Sequence, residues 1–313
     1  MKKVIFMGTP DFAVPVLERI LEDGYLVELV VTQPDRPKGR KKTMTPPSVK
    51  VAAEKNNIPV FQPEKIKDNF EPIQAIEPDL IVTAAFGQIL PKELLDIPRY
   101  GCINVHASLL PELRGGAPIH YAILNGHQKT GITIMYMAEK LDAGDIISQS
   151  EVKITEQDDV GSLHDKLSVI GADLLSDTIP KIFNEQIEPI KQEEALATFA
   201  PNITREQEKI KWENSMQQIF DQIRGLHPWP VASTKWRGNN LKIYHATKSE
   251  KQTNQHPGEI VDITEDGIVV ATGDSKGIII KTLQPAGKKK MSAADFIRGV
   301  GNNLEVGGEK LGE

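Results

Sequence analysis

The 313-residue chain has a single cysteine, Cys102, so it can form neither an intramolecular disulfide framework nor a thiolate metal cluster. Cys102 sits beside Ile103 in an apolar stretch, and we read it as a small buried hydrophobe rather than a nucleophile. Long apolar runs are missing too. Val4 to Met7 is closed by Gly8-Thr9-Pro10-Asp11, far short of a signal-peptide core or a membrane span, which reads as a soluble, cytoplasmic protein with no membrane partner. Neither a G-x-G-x-x-G fingerprint nor a Walker A sequence occurs, and Pro10 removes an amide where a phosphate loop would need one, so nucleotide cofactors are disfavoured.

Enough apolar content remains for a packed core: 39% hydrophobic and 26% charged residues argue against disorder, and the length suggests two domains. The net charge is −6, unevenly spread. From Gln207 to the end there are 15 Lys+Arg and 13 Asp+Glu, against 22 and 30 before it. A mildly basic last third on an acidic protein hints at an anionic partner, although chance scatter of surface charge gives the same numbers.

Buried strand runs at Lys3–Met7, Leu26–Val31, Val60–Phe61 and Leu80–Ala84 alternate with helical patterns, the first helix taking Asp11 as N-cap. Such alternation predicts an α/β domain, an open Rossmann-like, mostly parallel sheet whose ligand lies beyond the C-terminal strand ends. A polar connector at Lys191–Glu194 leads to a helix over Trp212–Arg224, broken by His227-Pro228-Trp229-Pro230. Short runs at 241–245, 258–263, 267–271 and 277–281 then predict a small antiparallel, OB-like β-barrel. The expected division is 1–189, a linker 190–206, and 207–313.

Candidate chemistry concentrates in Gly101 to Pro111. If Ile103 to Val105 end a strand, Asn104 and His106 project from one face. An amide donor beside an imidazole suits acyl chemistry, the one stabilising an oxyanion and the other moving a proton; a purely structural Asn and His stays open. Arg114-Gly115-Gly116-Ala117-Pro118 reads as a turn opening a helix, and a strand at Gly131–Met137 leads to Leu141-Asp142-Ala143-Gly144-Asp145. Its carboxylates could orient the imidazole or simply cap a turn.

Together these pieces resemble the 10-formyltetrahydrofolate-dependent formyltransferases. Asn104, His106 and Asp142 match their Asn–His–Asp set, Ser108-Leu109-Leu110-Pro111 their S-L-L-P signature, and Leu141–Asp145 their L-D-x-G-D turn. The resemblance implies amine attack on the formyl carbon, oxyanion stabilisation by Asn104 and His106, and an Asp142 that holds the His106 tautomer and helps pass a proton to the folate N10. It implies no metal. It also places Phe86, Gly87, Gln88, Ile89 and Leu90, with Ser108, Leu109, Leu110 and Pro111, along the folate pocket.

The acceptor amine is indicated by Gln33-Pro34-Asp35-Arg36-Pro37-Lys38-Gly39-Arg40-Lys41-Lys42. It is similar to the basic loop of the methionyl-tRNA formyltransferases, and implies that Arg36, Lys38, Arg40, Lys41 and Lys42 clamp acceptor-stem phosphates of an initiator methionyl-tRNA. A solvated basic loop is the plain alternative. Purine-pathway relatives resemble only the first two hundred residues, whereas sugar-nucleotide formyltransferases and the hydrolase domains of formyltetrahydrofolate dehydrogenases carry a similar tail. The resemblance runs nearly the whole chain, with departures: the loop is one residue shorter than in many relatives, and Asn202 and His227 stand where Lys and Asn are usual. The expected enzyme is a monomer with a second, RNA-contacting domain that includes Lys288-Lys289-Lys290.

Overall fold

A computed structural model describes residues 2–39, 41–249 and 251–312. The chain divides into two compact units: Met1–Pro118 with Lys129–Lys153 and His164–Pro201, and Ile119–Gln128 with Ile154–Leu163 and Asn202–Glu313. In chain order the strands are β1 (Lys3–Gly8), β2 (Leu26–Val31), β3 (Arg36–Lys38), β4 (Thr43–Thr45), β5 (Val60–Phe61), β6 (Leu80–Ala84), β7 (Cys102–His106), β8 (Lys129–Tyr136) and β9 (Ile146–Lys153), followed by β10 (Ala232–Trp236), β11 (Asn239–Ser249), β12 (Ile260–Thr264), β13 (Gly267–Ala271), β14 (Gly277–Pro285) and β15 (Met291–Ser292). The helices are α1 (Val14–Glu22), α2 (Ser48–Lys55), α3 (Glu71–Ile76), α4 (Lys92–Leu95), α5 (Pro118–Leu124), α6 (Val160–Phe183), α7 (Met216–Gly225) and α8 (Ala293–Arg298).

The first unit is built on a seven-stranded sheet in the order β5-β2-β1-β6-β7-β8-β9. The first five strands run parallel; β8 pairs antiparallel with β7, and β9 antiparallel with β8. β6 is buried along its whole length, as its unbroken Leu-Ile-Val-Thr-Ala run requires of a strand covered on both faces. The order reverses between β1 and β6, so their C-terminal ends open the crevice in which such sheets bind ligands. There the Thr9 hydroxyl donates to the Phe86 carbonyl at 2.9 Å, closing the two loops on each other.

In the second unit β10-β11-β14-β13-β12 form an antiparallel path, with β15 on β14. Ile219 and Ile223 of α7 join Trp236, Ile243, Ile280 and Phe296 in its core. Register shifts at Ile243–Ala246 let the long β11 bend as it pairs with β14.

Three local expectations change. Asp11 does not cap α1; it opens a 3-10 turn, Asp11–Ala13, and its carboxylate accepts the Phe12 amide at 3.2 Å and lies 3.6 Å from His164 Nε2. α7 starts at Met216 rather than Trp212, because Ser215 and Gln218 form a reciprocal capping box that fixes the start and contributes about 1 kcal/mol. β10 was not anticipated from its sequence. The first compact unit runs to Pro201 and the second takes up at Asn202.

Candidate active site

β7 carries Asn104 and His106 two residues apart at its C-terminal end, between β6 and β8. The Thr83 hydroxyl of β6 donates to Asn104 Oδ1 at 2.7 Å. With its oxygen engaged, Asn104 presents its Nδ2 N–H groups. His106 is 6% exposed, and its Nε2 lies 3.1 Å from the Leu113 carbonyl oxygen. A carbonyl only accepts, so Nε2 carries a hydrogen and the backbone sets this tautomer.

The other ring nitrogen, Nδ1, faces Asp142 Oδ2 at 3.8 Å, beyond direct hydrogen-bond range. The hydrogen bond the ring makes is therefore to Leu113, with the Asp142 carboxylate alongside its other nitrogen. Asp142 Oδ2 itself accepts the Gly115 amide at 2.8 Å. Gly115 has φ +121°, and a Cβ there would lie 2.7 Å from the Ala200 oxygen, so only glycine brings this N–H to the carboxylate. Gly144 of the same turn is equally constrained, since a Cβ would meet the Tyr136 oxygen at 1.7 Å.

The Ser108–Pro111 segment is held by its own neighbours. The Ser108 hydroxyl donates to Glu112 O at 2.6 Å, and Ser108 O accepts the Thr133 hydroxyl at 2.6 Å. The Leu110 amide donates to Thr133 Oγ1 and its carbonyl accepts from Gln149 Nε2, both at 3.0 Å. These groups are committed inside the protein, and the Leu110 side chain is buried in a cluster with Met135 and Ile146. Leu109 is half-buried and the Leu110-Pro111 bond is cis.

Of the other folate candidates, Phe86 and Leu90 are buried in one cluster with Cys102. Gly87 is exposed, and Gln88 braces the loop by accepting the Ile66 amide at 2.7 Å and donating to Pro63 O at 3.2 Å. Ile89, 77% exposed, is the apolar side chain the loop shows to solvent. Burial, and then Asp96, push the Cys102 thiol above its ordinary pKa, which keeps it an uncharged hydrophobe.

The basic segment is a hairpin. β3 and β4 pair Arg36 with Thr45 and Lys38 with Thr43, and Lys42 N donates to Gly39 O at 3.1 Å. Lys38, Lys41 and Lys42 are exposed; Arg40 lies outside the described residues. Arg36 is ion-paired with Glu64 at 2.7 Å. At the hairpin base, Gln62 and then Lys50 hold the Asp35 carboxyl below its ordinary pKa.

A family model described as "Formyl transferase" matches residues 1–179, and one described as "Formyl transferase, C-terminal domain" matches 202–301. The chain is 62% identical to the methionyl-tRNA formyltransferase of Geobacillus sp. (strain WCH70), covering 100% of this chain and 99% of that one. With the methionyl-tRNA formyltransferase of Bacillus subtilis (strain 168) it shares 60% identity over 99% of this chain and all of the relative. The chain belongs to the formyl transferase family, with the methionyl-tRNA formyltransferases. It is a formyl-transferring enzyme. Among solved structures, an N-formyltransferase from Helicobacter canadensis shares the fold, with TM-score 0.68 and 21% identity over 91% of this chain and 100% of that one. A HypX variant from Aquifex aeolicus has TM-score 0.69 at 15% identity, over 97% of this chain and 50% of that one.

Several residues that shape this formyltransferase site were not singled out from its sequence as site residues: Thr83, Leu113, Arg114 and Gln192. Thr83 interrupts an apolar strand, a polar residue where none is expected, and Arg114 precedes two glycines; both signals were readable. Gln192 carried none, lying in a polar stretch.

Proposed function

We propose that the enzyme moves the formyl group of 10-formyltetrahydrofolate to the α-amino group of initiator methionyl-tRNA, giving formylmethionyl-tRNA for translation initiation in the cytoplasm. The observation that carries the mechanism is His106, whose Nε2 is tied to a carbonyl while Nδ1 faces the Asp142 carboxylate at 3.8 Å. The amine attacks the formyl carbon and a tetrahedral oxyanion forms. Asn104 donates to that oxygen from Nδ2, and His106 donates beside it once its Nδ1 has taken up the proton the amine releases. The new C–N bond leaves the amine one proton in excess, and N10 needs one to depart. Asp142 and His106 relay it, so the step closes without a covalent enzyme intermediate. Phe86, Ile89, Leu90 and the Ser108–Pro111 segment would supply the apolar slot for the pterin.

The tRNA half of the proposal rests on charge. Lys38, Lys41 and Lys42 stand exposed on the hairpin, the sites at which acceptor-stem phosphates would be gripped, with Arg40 joining them by sequence. In the second unit, residues 207–313 are read as an RNA-contacting domain. A cleft of about 670 Å³ there is lined by Arg205, Lys209, Lys235 and Lys242 against one acid, Glu208. The test is to mix the purified chain with 10-formyltetrahydrofolate and methionyl-tRNA and follow formyl-methionine on the tRNA. Formylated tRNA is expected; formylation of an amino-sugar nucleotide instead would overturn the acceptor assignment.

A further inference from the structure

Asp142 and Leu113, the two residues that contact the His106 ring from either side, both adopt left-handed backbone conformations, φ +49° and +58°. Side chains other than glycine hold such conformations only where their surroundings over-determine them. Here the surroundings come from a segment far along the chain, residues 192–200. Gln192 is buried, and its amide is fully used. Nε2 donates to the Asp142 carbonyl at 2.8 Å and the Gly144 carbonyl at 2.7 Å, while Oε1 accepts Arg114 Nη2 at 2.8 Å and Nε at 3.1 Å.

Arg114 is 1% exposed and completes its pairing on Glu194, which also binds Lys140. It stands between Leu113, whose carbonyl holds His106, and Gly115, whose amide holds Asp142. The same strap fixes that backbone directly. Thr198 Oγ1 accepts the Leu113 amide at 2.8 Å, Thr198 O the Arg114 amide at 2.9 Å, and Ala200 O the Ala117 amide at 3.0 Å. A buried guanidinium and a saturated amide thus join the turn bearing Asp142 to the loop bearing Leu113.

We propose that Gln192 and Thr198, linked through Arg114, are positioning residues for formyl transfer, setting the distance between Asp142 and the His106 ring. The inference rests on the reading of His106 and Asp142 as the proton-moving pair. Neither Gln192 nor Thr198 touches the reacting atoms; each acts on kcat through the residue it holds.

The test uses the full-length enzyme and the two substrates named above. Gln192→Glu keeps an acceptor for Arg114 but sets an oxygen against two carbonyls. It is expected to lower kcat about tenfold, the usual scale for an outer contact that orients a functional group, with KM for both substrates within about twofold. In an Asp142→Asn background the same change should cost less than about twofold, because the group it positions has already been disabled. Thr198→Val, at an exposed position, reads the link from the His106 side and should cost about fivefold in kcat. Parental kcat in both Gln192→Glu and Thr198→Val, beside a slow Asp142→Asn, would overturn the inference alone. So would equal losses from Gln192→Glu in both backgrounds, the mark of general destabilisation. Asp142→Asn at the parental rate would overturn the underlying reading, and the inference with it.

Discussion

The corner around His106 and the hairpin around Lys41 are held by different forces. At the corner, imidazole, carboxylate and amide are each tied to a carbonyl, an N–H or a hydroxyl of the surrounding chain, within a buried setting. These bonds work at short range and are scarcely screened by salt. The hairpin has two strands of three residues, exposed cations, and an anchorage made of the Arg36–Glu64 and Lys50–Asp35 ion pairs. Its forces are long-ranged, screened and weak pair by pair. On the proposed function this is a division of labour: the corner needs fixed geometry when charge develops on the formyl oxygen, while the hairpin has to meet a phosphate backbone, for which charge matters more than position.

Removing the imbalance at the corner should have the largest effect. His106→Ala is expected to lower kcat for formyl transfer by about 100-fold or more, with little change in KM for tRNA, as steady-state kinetics would show. At the hairpin the pattern should invert. Lys41→Ala with Lys42→Ala should raise KM for methionyl-tRNA about tenfold at low salt and leave kcat at saturation near the parental value. The dependence of log KM on log salt should also be shallower by roughly one per lost phosphate contact.

A change in the opposite direction sharpens the contrast. Glu64→Gln frees Arg36 from its intramolecular partner, and KM for tRNA should fall about twofold at low salt, with no change above about 0.5 M. A KM that rises would mean that the Arg36–Glu64 pair matters as an anchor rather than as a competitor.

The smallest effect concerns pH. Asp35 has its carboxyl pKa lowered by Gln62 and Lys50 from an ordinary 3.8, so its contribution to anchoring is complete above that value and is lost as pH falls through the lowered one. The amides of Arg36, Lys38 and Thr43 to Thr45 should therefore lose protection on acidification below 3.8 before those of β7 do. Asp35→Asn should remove the pH step, and an unchanged step in that variant would assign it to another group.

The same contrast governs what could be read in advance. Asn104 and His106 were legible because period-two spacing at the end of an apolar strand puts two polar groups on one face. Asp142 was legible once its turn was matched with them. The five cations were legible as charge, but the strand that carries Arg36 and Lys38 was not: Pro37, Gly39 and the charges themselves erase the β signal, and the pairing comes from the hairpin closing on itself. β10 escaped for a related reason, since Ala-Ser-Thr-Lys-Trp has no apolar run and its burial comes from pairing with β11 and from Ala232 and Trp236 joining the core of the second unit. Gln192 could not be read at all, because its burial depends on Arg114, 78 positions earlier. The Leu113 carbonyl is likewise invisible to sequence, being a backbone group, yet it lies 3.1 Å from His106 Nε2, nearer the ring than the Asp142 carboxylate at 3.8 Å.

The most direct test is to measure kcat and KM for methionyl-tRNA, with 10-formyltetrahydrofolate saturating, across a salt series for the parent, His106→Ala and the Lys41→Ala, Lys42→Ala pair. The account predicts a loss confined to kcat and independent of salt in the first variant, and a loss confined to KM and shrinking with salt in the second. A His106→Ala enzyme that formylates methionyl-tRNA at the parental rate would contradict it.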